Sequence, residues 1–293
     1  MSEFPLPNVS NDLSGRVALV TGASSGLGER FARVLASQGA AVALCARRID
    51  RLESLAAEIA EAGGKAVAVQ MDAMDADALV AAVDAAEAAF GTVDILINNA
   101  GIPDAQRAHK MSVDLVDRVL GINVRAPWLL STEFARRLIE AKKPGNIVNI
   151  SSTAHYRYDG GGAALYSVSK TAVARMTETL STEWAFANIN VNAIAPGMFV
   201  SEMTDGMFER IGDPREWVAR KRVPVPAQLD STLLYLCSAA SECVTGAVIK
   251  VDDGQSARMR LYLPSHSCPP DAGNAMTILR SDRIGTASPE TEE

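Results

Sequence analysis

Tyr166 and Lys170 stand four residues apart in the stretch Tyr166-Ser-Val-Ser-Lys170. In an apolar-periodic run, that spacing puts both side chains on one helix face. A phenol ordinarily keeps its proton to about pH 10, and a neighbouring ammonium favours the phenolate. The pair reads as a general acid/base, with the lysine expected to pull the tyrosine toward neutral pH. By itself the spacing is equally that of an aromatic ring packed on a lysine stem. A second chemical feature lies far upstream. Arg16-Val-Ala-Leu-Val-Thr21 is a short apolar run that leads into Gly22-Ala-Ser-Ser-Gly26-Leu-Gly28, and helical periodicity follows with Phe31, Val34 and Leu35. Strand, glycine-rich turn and helix in succession let a pyrophosphate approach the backbone at a helix N-terminus. A third feature, Asn98-Asn-Ala-Gly101, closes another apolar run. Small and amide residues there let the chain pass close to a ligand, although an ordinary Asn/Gly turn has the same composition.

These residues need elements to hold them. Further apolar runs at Ala41–Ala46, Ala66–Gln70, Asp94–Asn98, Ile147–Ile150, Asn190–Ala195 and 246–251 read as strands. Helical patterns separate them. Leu52, Leu55 and Ile59 stripe one, an alanine-rich helix lies near 75–90, a long helical region covers 112–142, and another helix lies near 228–239. Strands alternating with helices of this length predict a doubly wound parallel sheet with helices on both faces. Asn123 lies inside the 112–142 region, four residues before Pro127, so a local distortion is expected there. Ser151-Ser152-Thr153 ends the fifth strand, a loop spans 154–163, and Pro196-Gly197 ends the sixth strand.

Composition narrows the classes. The 293 residues are 48% hydrophobic and 22% charged, which suits a globular enzyme with a sizeable core. A net charge of −7 argues against an extended nucleic-acid or anionic-membrane surface. Cys45, Cys237, Cys243 and Cys268 are scattered without metal-ligand spacing, which reads as reduced thiols and no metal site. The Met-Ser-Glu-Phe-Pro start has no signal-peptide pattern, and no apolar run approaches membrane-spanning length, so a cytoplasmic location is expected. The expected organisation is an N-terminal arm over 1–14, one domain over 15–258, and an extension over 259–293. With Pro264, Pro269, Pro270, Pro289 and an acidic end, that extension reads as mostly disordered or subunit-contacting.

Taken together and in order, Thr21-Gly-x-x-x-Gly-x-Gly28, Asn98-Asn-Ala-Gly101, Asn123, Ser152, Tyr166-x-x-x-Lys170 and Pro196-Gly197 resemble the motifs of the short-chain dehydrogenase/reductases, in their compact single-domain branch. The resemblance runs from about Gly15 to Gln255. It implies a Rossmann-like, doubly wound, seven-stranded parallel sheet. It also implies hydride transfer between a nicotinamide and a carbonyl or secondary alcohol. Tyr166 would be the general acid/base, Lys170 would lower its pKa and bond the nicotinamide ribose, Ser152 would donate to the substrate oxygen, and Asn123 would hold a water leading to Lys170. Ser152 stands one residue further from Tyr166 than the family spacing. An insertion in the glycine-rich 154–163 loop accounts for this, with Thr153 as the alternative.

The same resemblance assigns the cofactor to Thr21, Gly22, Ser24, Ser25, Gly26, Leu27, Gly28, Asp72, Ala73, Asn99, Ala100, Gly101, Pro196, Gly197 and Ser201, besides Tyr166 and Lys170. Ala46 stands where an acidic residue would accept the ribose hydroxyls of NAD, and Arg47-Arg48 follow it. A guanidinium there suits a 2′-phosphate, so NADP(H) is expected over NAD(H); two solvated loop arginines are the plainer reading. His155, Met198, Phe199 and Met203, with Ser152 and Tyr166, are expected to meet a small carbonyl or alcohol substrate. The family pattern also implies a homo-oligomer, dimer or tetramer. The alternatives are an NAD-dependent alcohol dehydrogenase of the same family and a non-catalytic dinucleotide-binding sensor.

Overall fold

Runs rich in Val, Ile, Leu and Ala form seven strands: β1 Val17–Thr21, β2 Ala41–Ala46, β3 Lys65–Gln70, β4 Ile95–Asn98, β5 Gly145–Ile150, β6 Ile189–Pro196 and β7 Val248–Val251. The structure is a computed structural model that describes residues 9–104, 106–158, 160, 162–202, 204, 212–216 and 218–256. All six strand pairs are parallel, in the order β3-β2-β1-β4-β5-β6-β7. The helices described are α1 Gly26–Ser37, α2 Ile49–Glu61, α3 Ala76–Phe90, α4 Val113–Leu120, α5 Ala126–Ala141, α6 Ala164–Glu183 and α7 Asp230–Cys237. The strands read as continuous apolar runs because both faces are covered. On one face Val20, Leu44, Ile97 and Val148 pack with Phe31 of α1, Leu55 of α2 and Leu233 of α7. On the other, Leu19, Cys45, Leu96 and Ile147 pack with Leu79 of α3, Phe134 of α5 and Met176 of α6. This is the doubly wound Rossmann-like sheet expected from the sequence. Strand order reverses between β1 and β4, so the crevice at their carboxyl ends is the fold's natural ligand site.

Several local expectations change, among them the starts of β5 and β7, each by two residues. Leu13, within the stretch read as a surface arm, is fully buried, and its N–H donates to Gln38 O at 2.8 Å. β6 extends one residue at each end beyond the expected run. The 112–142 region is not one helix: α4 and α5 flank a π-helical stretch, Gly121–Arg125. Pro127 has no N–H for the carbonyl of Asn123, four residues back, and the backbone widens there instead. The distortion expected at Asn123 is this stretch. Met203 and the extension from 259 onward lie outside the described residues.

Candidate active site

The glycine turn is built by close packing. Gly22 and Gly26 have left-handed φ angles of 68° and 59°, which lets the chain turn between β1 and α1. A Cβ on Gly28 would lie 2.3 Å from Gly22 O and 2.5 Å from Asn99 Nδ2. Thr21 and Asn99 lock the turn to the end of β4. Thr21 Oγ1 accepts from Asn99 N (2.9 Å) and Ala100 N (3.0 Å), and Asn99 Nδ2 donates to Thr21 O at 2.9 Å. Ser25 occupies the N-cap of α1, yet its side chain makes no capping bond. The first N–H groups of α1 therefore carry no side-chain cap, at the positive end of the helix dipole.

Beside the turn lies a cluster of charge. Arg48 Nη2 donates to Ser24 Oγ (3.0 Å) and Ser25 Oγ (2.8 Å), and pairs with Glu202 Oε2 at 3.3 Å. Arg51 Nη1 holds the other Glu202 oxygen at 2.6 Å. Hydrogen bonds from Arg51 and Ser25, with the charge of Arg48, hold the Glu202 carboxyl below the usual range. Arg47 is exposed at the rim of the same cleft. Thus Arg48, not Arg47, is the arginine anchored over the phosphate-type turn.

At the far end of the cleft sits the Tyr166 group. Tyr166 is half-buried and hydrogen-bonded to Ser152, whose Oγ also accepts from Ala154 N at 3.1 Å. Lys170 is buried; its Nζ donates to Ile150 O at 2.8 Å and lies 5.6 Å from the Tyr166 ring centroid. The shared helix face is as expected, but the charge balance is not. Burial, the dominant cause, pushes the Tyr166 phenol above its ordinary value; Ser152 opposes this and Asp104 adds to it. Lysine burial in turn moves Lys170 down to about 8. The phenol is therefore raised and not lowered as expected, because its burial outweighs the opposing Ser152 hydrogen bond.

Lys170 therefore leaves a signature in stability. Its folded value of about 8 lies below the ordinary 10.5, so between these the unfolded chain binds the proton that the folded chain has released. Stability is fully present above the higher value and is lost as pH falls through the lower one. Against Lys170→Met, wild type should gain roughly 3 kcal/mol of unfolding free energy from pH 7.5 to 10.5. Denaturant melts across that window measure it; parallel curves for the two proteins would reject the buried-ammonium account.

Asn123 is buried, and its side chain makes three hydrogen bonds. Oδ1 accepts from Ile102 N (2.9 Å), and Nδ2 donates to Ile102 O and Ser169 Oγ (both 3.0 Å). Asn123 Oδ1 and Lys170 Nζ both come within 3.4 Å of the place a Gly101 Cβ would occupy. The amide thus braces the chain after β4 to α6, and its Oδ1 keeps a second lone pair beyond the bond from Ile102 N.

One cleft of about 310 Å³ joins the two ends. Gly22, Ser24, Ser25, Gly26, Leu27, Arg47, Arg48, Asp72, Ala73, Asn99, Ala100 and Gly101 line it, as do Ser152, Tyr166, Lys170, Pro196, Gly197, Phe199 and Ser201. Thr21, Gly28 and Asn123 sit behind the wall as braces. Thr153 does not line it. His155 does not reach it either: its Nδ1 turns back on the Ser152 carbonyl at 2.6 Å, burial lowers its pKa, and its ring tilts onto Tyr156. Met198 meets Gln255 through its backbone, and Met203 lies outside the described residues. Glu202 and Asp104 carry no local motif and join the site only by long-range contact. Among the described residues no cluster of three His, Cys, Asp or Glu side chains is placed to hold a metal, and no helix is long and apolar enough to cross a membrane.

A parallel sheet with a cleft at its switch point is a dinucleotide-binding architecture. The profile of the short chain dehydrogenase family matches residues 16–212, and the chain belongs to that family. It is 35% identical to a 2-dehydro-3-deoxy-D-gluconate 5-dehydrogenase of Dickeya dadantii, over 84% of this chain and 98% of the relative. A short-chain type dehydrogenase/reductase from Mycobacterium marinum superposes with a TM-score of 0.81 at 32% identity, covering 85% of this chain and 98% of that one. A Beutenbergia cavernae structure described as an NAD(P)-dependent gluconate 5-dehydrogenase, with NADP at low occupancy, gives 0.79 at 35% identity, over 85% and 99%. The chain is accordingly an oxidoreductase acting on CH–OH groups, in a family that uses NAD(P).

Proposed function

We propose that this chain is an NADP(H)-preferring oxidoreductase that moves a hydride between nicotinamide and a carbonyl or secondary alcohol, with Tyr166 as general acid/base. The observation that carries the reading is the single cleft. It has Ser152, Tyr166 and Lys170 at one end and an arginine-bearing glycine turn at the other. The cradle fits a dinucleotide: Gly22 and Gly26 line a turn whose packing a Cβ on Gly28 would break, and Arg48, Ser24 and Ser25 form a donor set for a phosphate. A nicotinamide bound there supplies the hydride in reduction and accepts it in oxidation. Tyr166 gives its proton to the carbonyl oxygen in one direction and takes the hydroxyl proton in the other. Ser152 donates to that oxygen and keeps it beside the phenol. Lys170, fixed by Ile150 O, supplies positive charge next to the ring. Asn123 sets the position of Ile102 and of α6 through Ser169.

Ile102, Ile150 and Phe199 form the wall around the catalytic end, which supports a substrate whose reacting carbon carries apolar arms. The names of two relatives point instead to sugar acids. A panel of apolar ketones and alcohols beside D-gluconate and its keto acids separates the two. Exposed Val113, Leu120, Trp128 and Val168 on α4, α5 and α6 support a homo-oligomer.

Cofactor choice is tested at Arg48. Arg48→Ala should weaken NADPH binding by about tenfold or more, the loss of a charge-assisted bond, and leave NADH binding nearly unchanged. Titration of both cofactors by fluorescence measures this. Equal effects on the two would remove the 2′-phosphate role. Tight binding of either cofactor with no turnover across the panel, unchanged by Tyr166→Phe, would favour the sensor.

A further inference from the structure

The helix that carries Tyr166 and Lys170 begins without a cap of its own. Its local N-cap is Ala163, in the left-handed region at φ 71°, with no side-chain acceptor to offer. Asp104 does the capping from outside, 61 residues before Leu165. Its Oδ2 accepts from Leu165 N (2.8 Å) and Tyr166 N (3.3 Å). The carboxylate is 3% exposed, and its Oδ1 has no hydrogen-bond partner among the described residues. Asparagine and serine also cap helices, without the cost of burying a half-satisfied charge. A carboxylate here has one property they lack. The N-terminus of a helix favours the anionic form of a nearby phenol, and a negative charge at the cap offsets that.

We propose that Asp104 is a positioning residue for the reaction: it fixes the start of α6 from outside the helix and supplies the negative field against which Tyr166 exchanges its proton. The proposal rests on reading Tyr166 as the acid/base. The charged groups placed beside Tyr166 are Lys170 on its own helix and Asp104 from the segment after β4, while His155, from the turn after β5, turns to Ser152 and Tyr156. Arg47, Arg48, Asp72 and Glu202 belong to the nucleotide end of the cleft. The charge of Asp104 holds the proton on Tyr166, in the same direction as burial and against the Ser152 hydrogen bond. The site thereby keeps Tyr166 in its protonated form, the form from which reduction starts and which oxidation must first deprotonate.

The test is Asp104→Asn beside Asp104→Glu. The amide keeps an acceptor for the two N–H groups and loses the charge; the longer acid keeps the charge. With the first, the limb of the kcat/KM profile for alcohol oxidation that follows Tyr166 should move down by about 0.5–1 pH unit. With the second it should stay near wild type. A readout without turnover runs in parallel: the phenol titration of ¹³C-labelled tyrosine, with the Tyr166 signal assigned by its loss in Tyr166→Phe. It should shift down likewise in the cofactor-free Asp104→Asn protein. An Asp104→Asn protein that melts like wild type, with both profile and phenol titration unmoved, would leave Asp104 a mere cap and overturn the proposal. If the phenol shifts but Tyr166→Phe keeps its activity, the reading of Tyr166 falls while the field of Asp104 stands. Should Asp104→Asn not fold, wild type decides: a Tyr166 phenol that titrates at or below the ordinary tyrosine range in the cofactor-free protein overturns the proposal.

Discussion

Tyr166→Phe lowers turnover by roughly 10²–10⁴-fold, the share of rate that a positioned acid/base supplies. Fold and cofactor affinity stay as they were. The reason lies in what the change removes. Phenylalanine keeps the half-buried ring and its packing beside Lys170, so neither α6 nor the cleft is disturbed. Only the hydroxyl is lost, with its bond to Ser152, and Ser152 still accepts from Ala154 N. The measurement is steady-state turnover of the best panel substrate, with thermal melting and cofactor titration on the same samples. A variant that binds cofactor, melts normally and still turns over would show that another group moves the proton. Because burial holds the wild-type phenol protonated above its ordinary range, carbonyl reduction should keep its rate to high pH, and alcohol oxidation should rise as pH increases.

Gly28→Ala is the second large effect, and its sign runs against helix propensity. Alanine within a helix is ordinarily more stable than glycine by roughly 0.5–1 kcal/mol. At Gly28 the added methyl would sit 2.3 Å from Gly22 O, a backbone atom, and 2.5 Å from Asn99 Nδ2. Neither can step aside cheaply. Asn99 Nδ2 is held by Thr21 O, and moving it also loosens the contacts that Thr21 makes with the chain after β4. Overpacking of this kind costs about 1–3 kcal/mol, so a lower melting temperature is expected. Cofactor affinity should fall more than tenfold, since the turn that must open is the one proposed to cradle the phosphates. Calorimetric melting and cofactor titration check the two halves separately. Unchanged affinity in a destabilised protein would mean that the cradle tolerates the methyl and that the packing serves the fold alone.

The chemistry-bearing residues were largely legible in the chain because their spacing is local. Four residues on a helix, or a glycine turn between a strand and a helix, define geometry without knowledge of the rest. Pro127 likewise announced a distortion at Asn123, and the π-helical stretch occurs there. The charge state of the pair was not legible. The expected effect of Lys170 on Tyr166 treats both as solvated neighbours, whereas burial acts on each side chain and sends both toward their neutral forms. His155, expected to meet the substrate from the loop after β5, turns to the Ser152 carbonyl, and Met198, expected to do so from the segment after β6, bonds Gln255 through its backbone.

The two groups with no motif show the same limit. Glu202 meets Arg48 across 154 residues, and Asp104 meets Leu165 across 61. Nothing near either one in the chain marks it. Periodicity and glycine spacing by themselves determined that this protein is a doubly wound parallel sheet with a nucleotide-type turn and a Tyr–Lys face, because those depend on which side of a strand or helix a residue takes. Tertiary structure alone decided which arginine lies over the turn, what caps α6, and how strongly Tyr166 keeps its proton. Those depend on which distant polar groups share a region of low dielectric, and sequence separation carries no information about that.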